Sequence, residues 1–242
     1  MKESKGFTLV ELAIVMIIIG LLIGGILKGQ ELIINARINT TIAQYKGIVA
    51  AHNTFRDIYN YVPGDLPAGI ANARIPGCVA SGCGNGNGDN LIGAPLAPAA
   101  AINAPESQEY WKHLTLTDLI TGVDPSAPTN PALAVTGVSN PPAHLGGGWN
   151  VFMPAAGDQN LAGYGSSARG IMLEIAALPN ARGTVVPSSQ AARLDRKLDD
   201  GLPNSGSVAA EFQNQNCDEG NLVTHQYMTG DEGFCQVFFT ID

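Results

Sequence analysis

The feature that most constrains this chain is an apolar run near its N-terminus that contains a single acid. Residues Phe7 to Leu27 number 21, and as an α-helix they would span roughly 31 Å, about the thickness of the hydrocarbon core of a bilayer. Glu11 lies in the first turns of this run. Buried among apolar helices without a partner, its carboxylate would cost roughly 2–4 kcal/mol or more. The sequence therefore predicts a membrane-spanning helix with one charge that needs an opposite charge nearby.

The residues on either side of the run predict its orientation and argue against its removal. Lys2 and Lys5 precede it, so the positive-inside rule places the N-terminus in the cytoplasm and sends the rest of the chain across the membrane. A secretory signal peptide would end in a small-x-small cleavage site, whereas this run continues into the polar residues 28–31. We therefore expect the apolar segment to remain part of the protein.

A cut between Gly6 and Phe7 would supply the missing positive charge. The freed amine of Phe7 and the carboxylate of Glu11 would lie about 6 Å apart in one straight helix, and a neighbouring copy shifted along the axis would bring them closer. Glu11 would then set the register of one helix against the next.

The sequence KGFTLVELAIVMIIIGLLIGG, beginning at Lys5, resembles the type III signal of type IV prepilins and of the pseudopilins of type II secretion. The shared pattern is a short basic leader ending in Gly, then Phe, then Thr-Leu-x-Glu and an apolar helix. The resemblance implies that an inner-membrane prepilin peptidase cuts after Gly6 and methylates the amine of Phe7. It also implies that Glu11 pairs with the Phe7 amine of a neighbouring subunit during filament assembly.

Small residues at helical spacing predict close packing of this helix. Two pairs have the small-xxx-small spacing that lets helix backbones approach one another in a membrane or in a filament core. The residues concerned are Gly20, Gly24, Gly25 and Gly29.

Apolar residues continue at steps of three or four beyond the membrane run, which predicts an amphipathic continuation of the same helix. Pro63 disfavours helix at the preceding residue, so we expect one helix from about Phe7 to Tyr61. The predicted organisation is a leader at 1–6, a membrane or filament-core helix at 7–27, its amphipathic half at 28–62 and a globular head at 63–242. The apolar face is Ile34, Ile38, Ile42, Tyr45, Ile48, His52, Phe55, Tyr59 and Val62.

The head is predicted to be rich in loops, because Gly, Pro, Asn and Ala dominate residues 64–105 and 121–148. Short helices are predicted at 105–120 and 188–198, the second capped by Ser188 or Ser189. Strands are predicted at 149–154, 170–176, 206–212 and 235–241. The fold class is therefore α+β and pilin-like, with one long N-terminal helix packed on a small antiparallel sheet with long loops.

The four cysteines form two local pairs, Cys78 with Cys83 and Cys217 with Cys235. Because the N-terminus targets a membrane, the favoured interpretation is two loop-closing disulfides in an oxidising compartment. A zinc site would have CxxC-like spacing and a histidine nearby in the sequence, and neither pair combines these features. The alternatives to two disulfides are metal ligation and free thiols.

A Gly/Asn-rich stretch next to the first cysteine pair raises the question of calcium. Asn85, Asn87 and Asp89 alternate like the oxygen ligands at the start of a calcium loop, but the downstream acidic ligand is missing from its expected place. We favour a Gly/Asn turn closed by a disulfide, with calcium as the alternative and no other cofactor expected.

Charge and motifs point away from nucleic-acid binding and catalysis. The net charge of -8 provides no basic face for a nucleic acid, and the sequence has no Walker loop, HExxH or GxSxG motif. His52 is interpreted as a packed core histidine. A charged cluster is interpreted as a solvated helix surface: Asp195, Asp199 and Asp200 with Arg193, Arg196 and Lys197.

These features predict a structural subunit, not an enzyme, of a type IV pilus-like or type II secretion pseudopilus filament. The expected partners are copies of itself or related pilins, the prepilin peptidase, the inner-membrane assembly platform and the membrane, with no specific nucleic acid. The expected location is the bacterial inner membrane, crossed once with the head in the periplasm, followed by a periplasmic or extracellular filament. The alternative is a membrane-anchored periplasmic ligand-binding protein that does not polymerise.

Overall fold

The computed structural model describes residues 8–78, 83–93, 105–154, 170–177, 183–210, 217, 226–228 and 233–241. The chain divides into two compact units, residues 1–37 and 38–242. The first helix, α1 (Leu9–Tyr59), has 51 residues and contributes to both units. The prediction of one long N-terminal helix is therefore confirmed.

The C-terminus of α1 differs from the prediction and has its own cap. The helix ends at Tyr59, before Pro63, because Asn60 adopts a left-handed backbone conformation with φ of 59°. The guanidinium of Arg74 then donates hydrogen bonds to the backbone oxygens of Ile58 at 3.0 Å and Tyr59 at 2.9 Å. A cation at this end also complements the helix dipole.

In the second unit, one face of α1 is buried. His52 is 2% exposed, and its Nδ1 lies 3.1 Å from the hydroxyl of Tyr110, as expected of a packed core histidine. Of the predicted face, Ile42 and Tyr45 in this unit and Ile34 in the first unit are only half-buried. Thr41 and Ala51 are buried without having been predicted. The buried set of the helix is Ile38, Thr41, Ile48, Ala51, His52, Phe55 and Tyr59.

An antiparallel sheet lies beside this helix. Within the described residues it has four strands, β1 (Gly148–Phe152), β2 (Ile171–Ala176), β4 (Val208–Ala210) and β6 (Val237–Ile241). Their order across the sheet is β1-β2-β6-β4. Every residue of these strands is buried. A second pair, β3 (Val186–Pro187) with β5 (Phe234–Cys235), is also antiparallel.

The pleat of the sheet sorts its side chains onto two faces. On one face, the ring of Phe239 lies 4.9 Å from that of Tyr45 on α1 and 5.2 Å from that of Trp149. Tyr45 also donates a hydrogen bond from its hydroxyl to the backbone oxygen of Thr240 at 2.8 Å. The predicted α+β class, with the helix packed on a small antiparallel sheet, is thus confirmed. The opposite face carries the cluster Phe152, Met172, Ala209 and Phe238.

The remaining helices show where the prediction held and where it failed. Helix α4 (Ser188–Leu198) has the predicted limits, but neither serine caps it, since Pro187 is the N-cap residue and makes no side-chain bond. Helix α3 (Pro105–Leu116) ends four residues early. Helix α2 (Ala68–Arg74) lies within a segment that was predicted as a loop. Part of the predicted strand at 206–212 lies outside the described residues.

Candidate functional site

The candidate site at the N-terminus begins at Thr8, because Gly6 and Phe7 lie outside the described residues. The backbone N–H and the hydroxyl of Thr8 both donate to Oε2 of Glu11, at 2.9 and 2.8 Å, and the N–H of Glu11 donates to the Thr8 hydroxyl at 3.3 Å. This is a capping box, which satisfies backbone donors of the first helical turn reciprocally. The Thr-x-x-Glu spacing was visible in the sequence, but the role of Thr8 was not inferred from it.

The capping box leaves half of the Glu11 carboxylate available. Both bonds from Thr8 reach Oε2, and within the described residues no hydrogen bond or ion pair to Oε1 is found. A carboxylate can accept bonds on both oxygens. Oε1 can therefore receive a cation from outside the chain while Oε2 keeps the helix start in place.

The helix that follows is apolar and exposed in the first unit. It is long and apolar enough to cross a membrane, and none of its most apolar window is buried. Leu9 is 89% and Leu21 73% exposed. A Cβ built at each of the four predicted packing glycines would meet nothing within 4 Å. Exposing so much apolar surface to water is unfavourable, so we expect lipid or other helices to cover it.

The residues of the calcium alternative lie on the loop 83–93, and the structure gives their hydrogen bonds. Asn85 donates from its backbone N–H to Glu109 at 2.9 Å, and its side-chain amide also bonds that carboxylate. Asn87 donates from its side-chain amide to Asp89 at 2.9 Å, and Asp89 returns a bond from its N–H to the Asn87 oxygen at 2.8 Å. These side chains support a turn, and calcium binding stays a prediction.

Buried carboxylates from other elements hold this loop in place. Asp65 accepts the backbone N–H groups of Asn87, Gly88 and Asn90, at 3.2, 2.8 and 2.6 Å. Glu106, on α3, accepts the N–H of Gly93 at 2.6 Å. Burial raises the pKa of Glu106 to about 7, and the neighbouring acids contribute to that rise. Burial also raises the pKa values of Asp65 and Glu109.

The structure corrects the sequence-based interpretation of a second acidic cluster, at the C-terminal end of α4. Asp195, predicted on a solvated surface, is fully buried. It accepts the Tyr227 hydroxyl at 2.9 Å and the Gly201 N–H at 3.2 Å. Burial, together with the nearby Asp199 and Asp200, raises its pKa to about 7. Asp195 lies on the buried face of α4.

The cysteines are bonded as Cys78–Cys83 and Cys217–Cys235, which agrees with the predicted pairs. His113 lies close to the first pair. Both of its ring nitrogens are occupied, since Nδ1 accepts the Gly64 N–H at 2.8 Å and Nε2 lies 3.0 Å from the Cys83 oxygen. The disulfide sulfurs are bonded to each other, so this group is not arranged to ligate a metal.

Comparison with known families gives a match at the N-terminus. Residues 1–27 match the model of the prokaryotic N-terminal methylation motif. No curated protein and no solved structure matches the chain. The match covers Gly6, Phe7 and Glu11, together with most of the exposed apolar helix of the first unit. The motif and the helix together indicate a membrane-anchored protein, and residues 1–27 carry a type IV prepilin-like signal.

Proposed function

We propose that this chain is a filament subunit of the type IV pilus or type II secretion pseudopilus kind. In this proposal a prepilin peptidase cuts after Gly6 and methylates the amine of Phe7. Residues 7–27 hold the subunit in the inner membrane, with the head in the periplasm, until an assembly platform extracts it into a filament. The observation that carries the proposal is the methylation motif at residues 1–27, joined to a Glu11 carboxylate at the start of an exposed apolar helix.

The geometry of the first turn supports separate roles for the two oxygens of the Glu11 carboxylate. Thr8 occupies Oε2, and Oε1 is left for the Phe7 amine of a neighbouring subunit. Pairing would remove the cost of burying either charge alone among apolar helices. The burial of the apolar helices against one another, aided by the open glycine positions, supplies the remaining driving force.

The first test is the intact mass and N-terminal sequence of the full chain recovered from a membrane or sheared-filament fraction. A chain that begins at Phe7 and is one methyl group heavier than its sequence supports the proposal. A chain that still begins at Met1 in cells with an active prepilin peptidase contradicts it.

The second test separates charge pairing from helix capping. Glu11→Gln removes the charge but keeps an oxygen that can accept the two Thr8 bonds, since Gln also serves in a capping box. We expect the assembled fraction to fall at least roughly tenfold, because the neighbour's amine is then buried without a counter-charge. Thr8→Val removes the hydroxyl but leaves the charge, and we expect a smaller loss. Sheared filaments and cell-associated subunit are quantified by immunoblotting.

A matched control is available on the same helix. Glu31→Gln makes the same chemical change at an acid that already has an ion-pair partner within its own chain, Lys28 at 2.7 Å. We expect this variant to assemble like the unmodified chain. Normal assembly of Glu11→Gln would contradict the role of Glu11 in charge pairing. Absence of the unmodified chain from sheared filaments would instead favour an anchored, non-polymerising periplasmic protein.

A further inference from the structure

A polar groove lies between the C-terminal end of α1 and the loop 83–93. It has a volume of about 690 Å³, within the range of roughly 300–1,000 Å³ typical of small-molecule sites. Its lining is Asn53, Arg56, Asp57, Asn60 and Asn90, and we call it the amide groove. None of these residues belongs to the N-terminal signal.

The helix places three of these side chains together. Positions 53, 56 and 57 follow the i, i+3, i+4 spacing of one helix face, and Asn60 comes directly after the last residue of α1. All four residues are exposed. In the part of the chain that the structure describes, neither Arg56 nor Asp57 forms an ion pair. Their hydrogen-bonding groups therefore face the groove and the solvent.

Two asparagines are fixed by their backbones. Asn60 and Asn90 have left-handed φ values of 59° and 64°, a region that favours glycine and next admits asparagine. The N–H of Asn60 donates to the Arg56 oxygen at 2.8 Å, and that of Asn90 donates to the buried Asp65 at 2.6 Å. Hydrogen bonds therefore hold the backbones that carry these two side-chain amides of the groove lining.

The chemistry of the lining narrows the class of ligand. Each carboxamide offers two donors and one acceptor, the guanidinium adds donors and the carboxylate adds acceptors. One cation and one anion leave the groove without net charge, and the whole chain is acidic at -8, so an anionic ligand gains no attraction. Among the described residues that line the groove, no apolar side chain is present to contact an apolar ligand. A protein partner would normally need an aromatic or aliphatic anchor, which this lining lacks.

Neutral polyols match these groups, because each hydroxyl both donates and accepts a hydrogen bond. We propose that the amide groove binds a neutral oligosaccharide through its hydroxyl groups. The exposure of all five side chains implies that binding is weak and reversible, suited to repeated contacts with a glycan-covered surface. This inference concerns the head alone and does not depend on whether the chain assembles into filaments.

The test uses the full chain in a detergent without a sugar head group. Saturation-transfer NMR is recorded separately with cellobiose, lactose, maltotriose and diacetylchitobiose, and with a sulfated heparin tetrasaccharide as the charged comparison. We expect transfer to at least one neutral sugar and none to the sulfated one. The double variant Asn53→Ala/Arg56→Ala should weaken binding about tenfold or more, because it removes several direct hydrogen bonds from exposed helix positions that tolerate alanine.

Lys46→Ala is the matched control, because it also removes a cation from an exposed position of α1, outside the groove lining. It should bind like the unmodified chain, and circular dichroism should show the same helix content in all variants. The inference is overturned if no neutral sugar receives saturation, if the sulfated sugar binds instead, or if the double variant and Lys46→Ala bind equally well.

Discussion

His113 shows how a single buried side chain can tie three segments together. Its Nδ1 accepts the Gly64 N–H and its Nε2 lies against the Cys83 oxygen, while its ring stacks on Phe55 of α1 with 5.9 Å between centroids. Only the neutral ring with its proton on Nε2 satisfies both hydrogen bonds. Protonation of Nδ1 would turn that acceptor into a second donor facing the Gly64 N–H, so the folded chain opposes it.

The first prediction is that the His113 ring stays neutral at pH values well below the usual titration range of histidine. Burial lowers its pKa to about 4 from 6.5. The unfolded chain therefore binds more protons than the folded chain between these values, and the contribution of His113 to stability is complete above pH 6.5. It falls as the pH drops, by about 3 kcal/mol at pH 4. NMR of carbon-13-labelled histidine in the full chain should show the neutral ring of His113 from pH 7.5 down to pH 5.

Ring titration is a better measurement here than overall stability. The pKa of Glu106 is raised to about 7, so the contribution of that acid to stability falls as the pH rises from about 4.5 to 7. His113 and Glu106 therefore shift stability in opposite directions over the same pH interval. A titration midpoint near pH 6.5 for the His113 ring would contradict the prediction.

At the scale of elements, the loop 83–93 shows why certain positions of this chain admit only glycine. A Cβ at Gly84 would overlap the backbone of Ala68, and one at Gly86 would overlap the backbone of Asp65. The loop can therefore approach residues 65–68 only because these positions have no side chain. The alternation of Gly with Asn that suggested a calcium loop has this packing reason as well.

The second prediction compares two glycine substitutions. Gly86→Ala should lower the free energy of unfolding by about 1–3 kcal/mol or more, because backbone atoms must move to admit the methyl group. Gly69→Ala, in α2, meets nothing within 4 Å and should instead stabilise the chain by up to about 1 kcal/mol through helix propensity. Urea unfolding of the full chain in detergent, followed by tryptophan fluorescence, measures both. Equal effects of the two substitutions would show that the loop does not pack against residues 65–68 as described.

Elements could be predicted from the sequence where a local pattern was long or clear. Helix α1 follows from its apolar periodicity, and α4 from an amphipathic stretch between Pro187 and Gly201. Helix α2 could not be predicted, because its seven residues AGIANAR lack an apolar period and lie among Gly and Pro. The end of α1 also escaped prediction, since its cap comes from Arg74, fifteen residues beyond Tyr59.

At the scale of the whole molecule, the contacts that define the head join residues far apart in the chain. Asn150 and Glu174 are cross-strand partners on β1 and β2, with their side chains 3.1 Å apart, and Gln236 donates to Glu174 at 2.8 Å. This polar row is buried beside an apolar cluster. Alternation of residue types cannot reveal it, because buried polar groups are tolerated only where tertiary structure supplies their partners. The N-terminal signal needed no such contacts and was recognised from sequence alone.

The third prediction concerns the two disulfides and the unfolded chain. Cys217 and Cys235 are 18 residues apart, whereas Cys78 and Cys83 are 5 apart. Because a cross-link that closes a longer loop removes more entropy from the unfolded chain, replacing Cys217 and Cys235 by serine should cost about 3 kcal/mol and replacing Cys78 and Cys83 about 2 kcal/mol. Urea unfolding of the full chain in detergent at pH 7, followed by tryptophan fluorescence, gives both losses. The reverse order would show that Cys78–Cys83 acts mainly in the folded state, by keeping the Cys83 oxygen in place for His113.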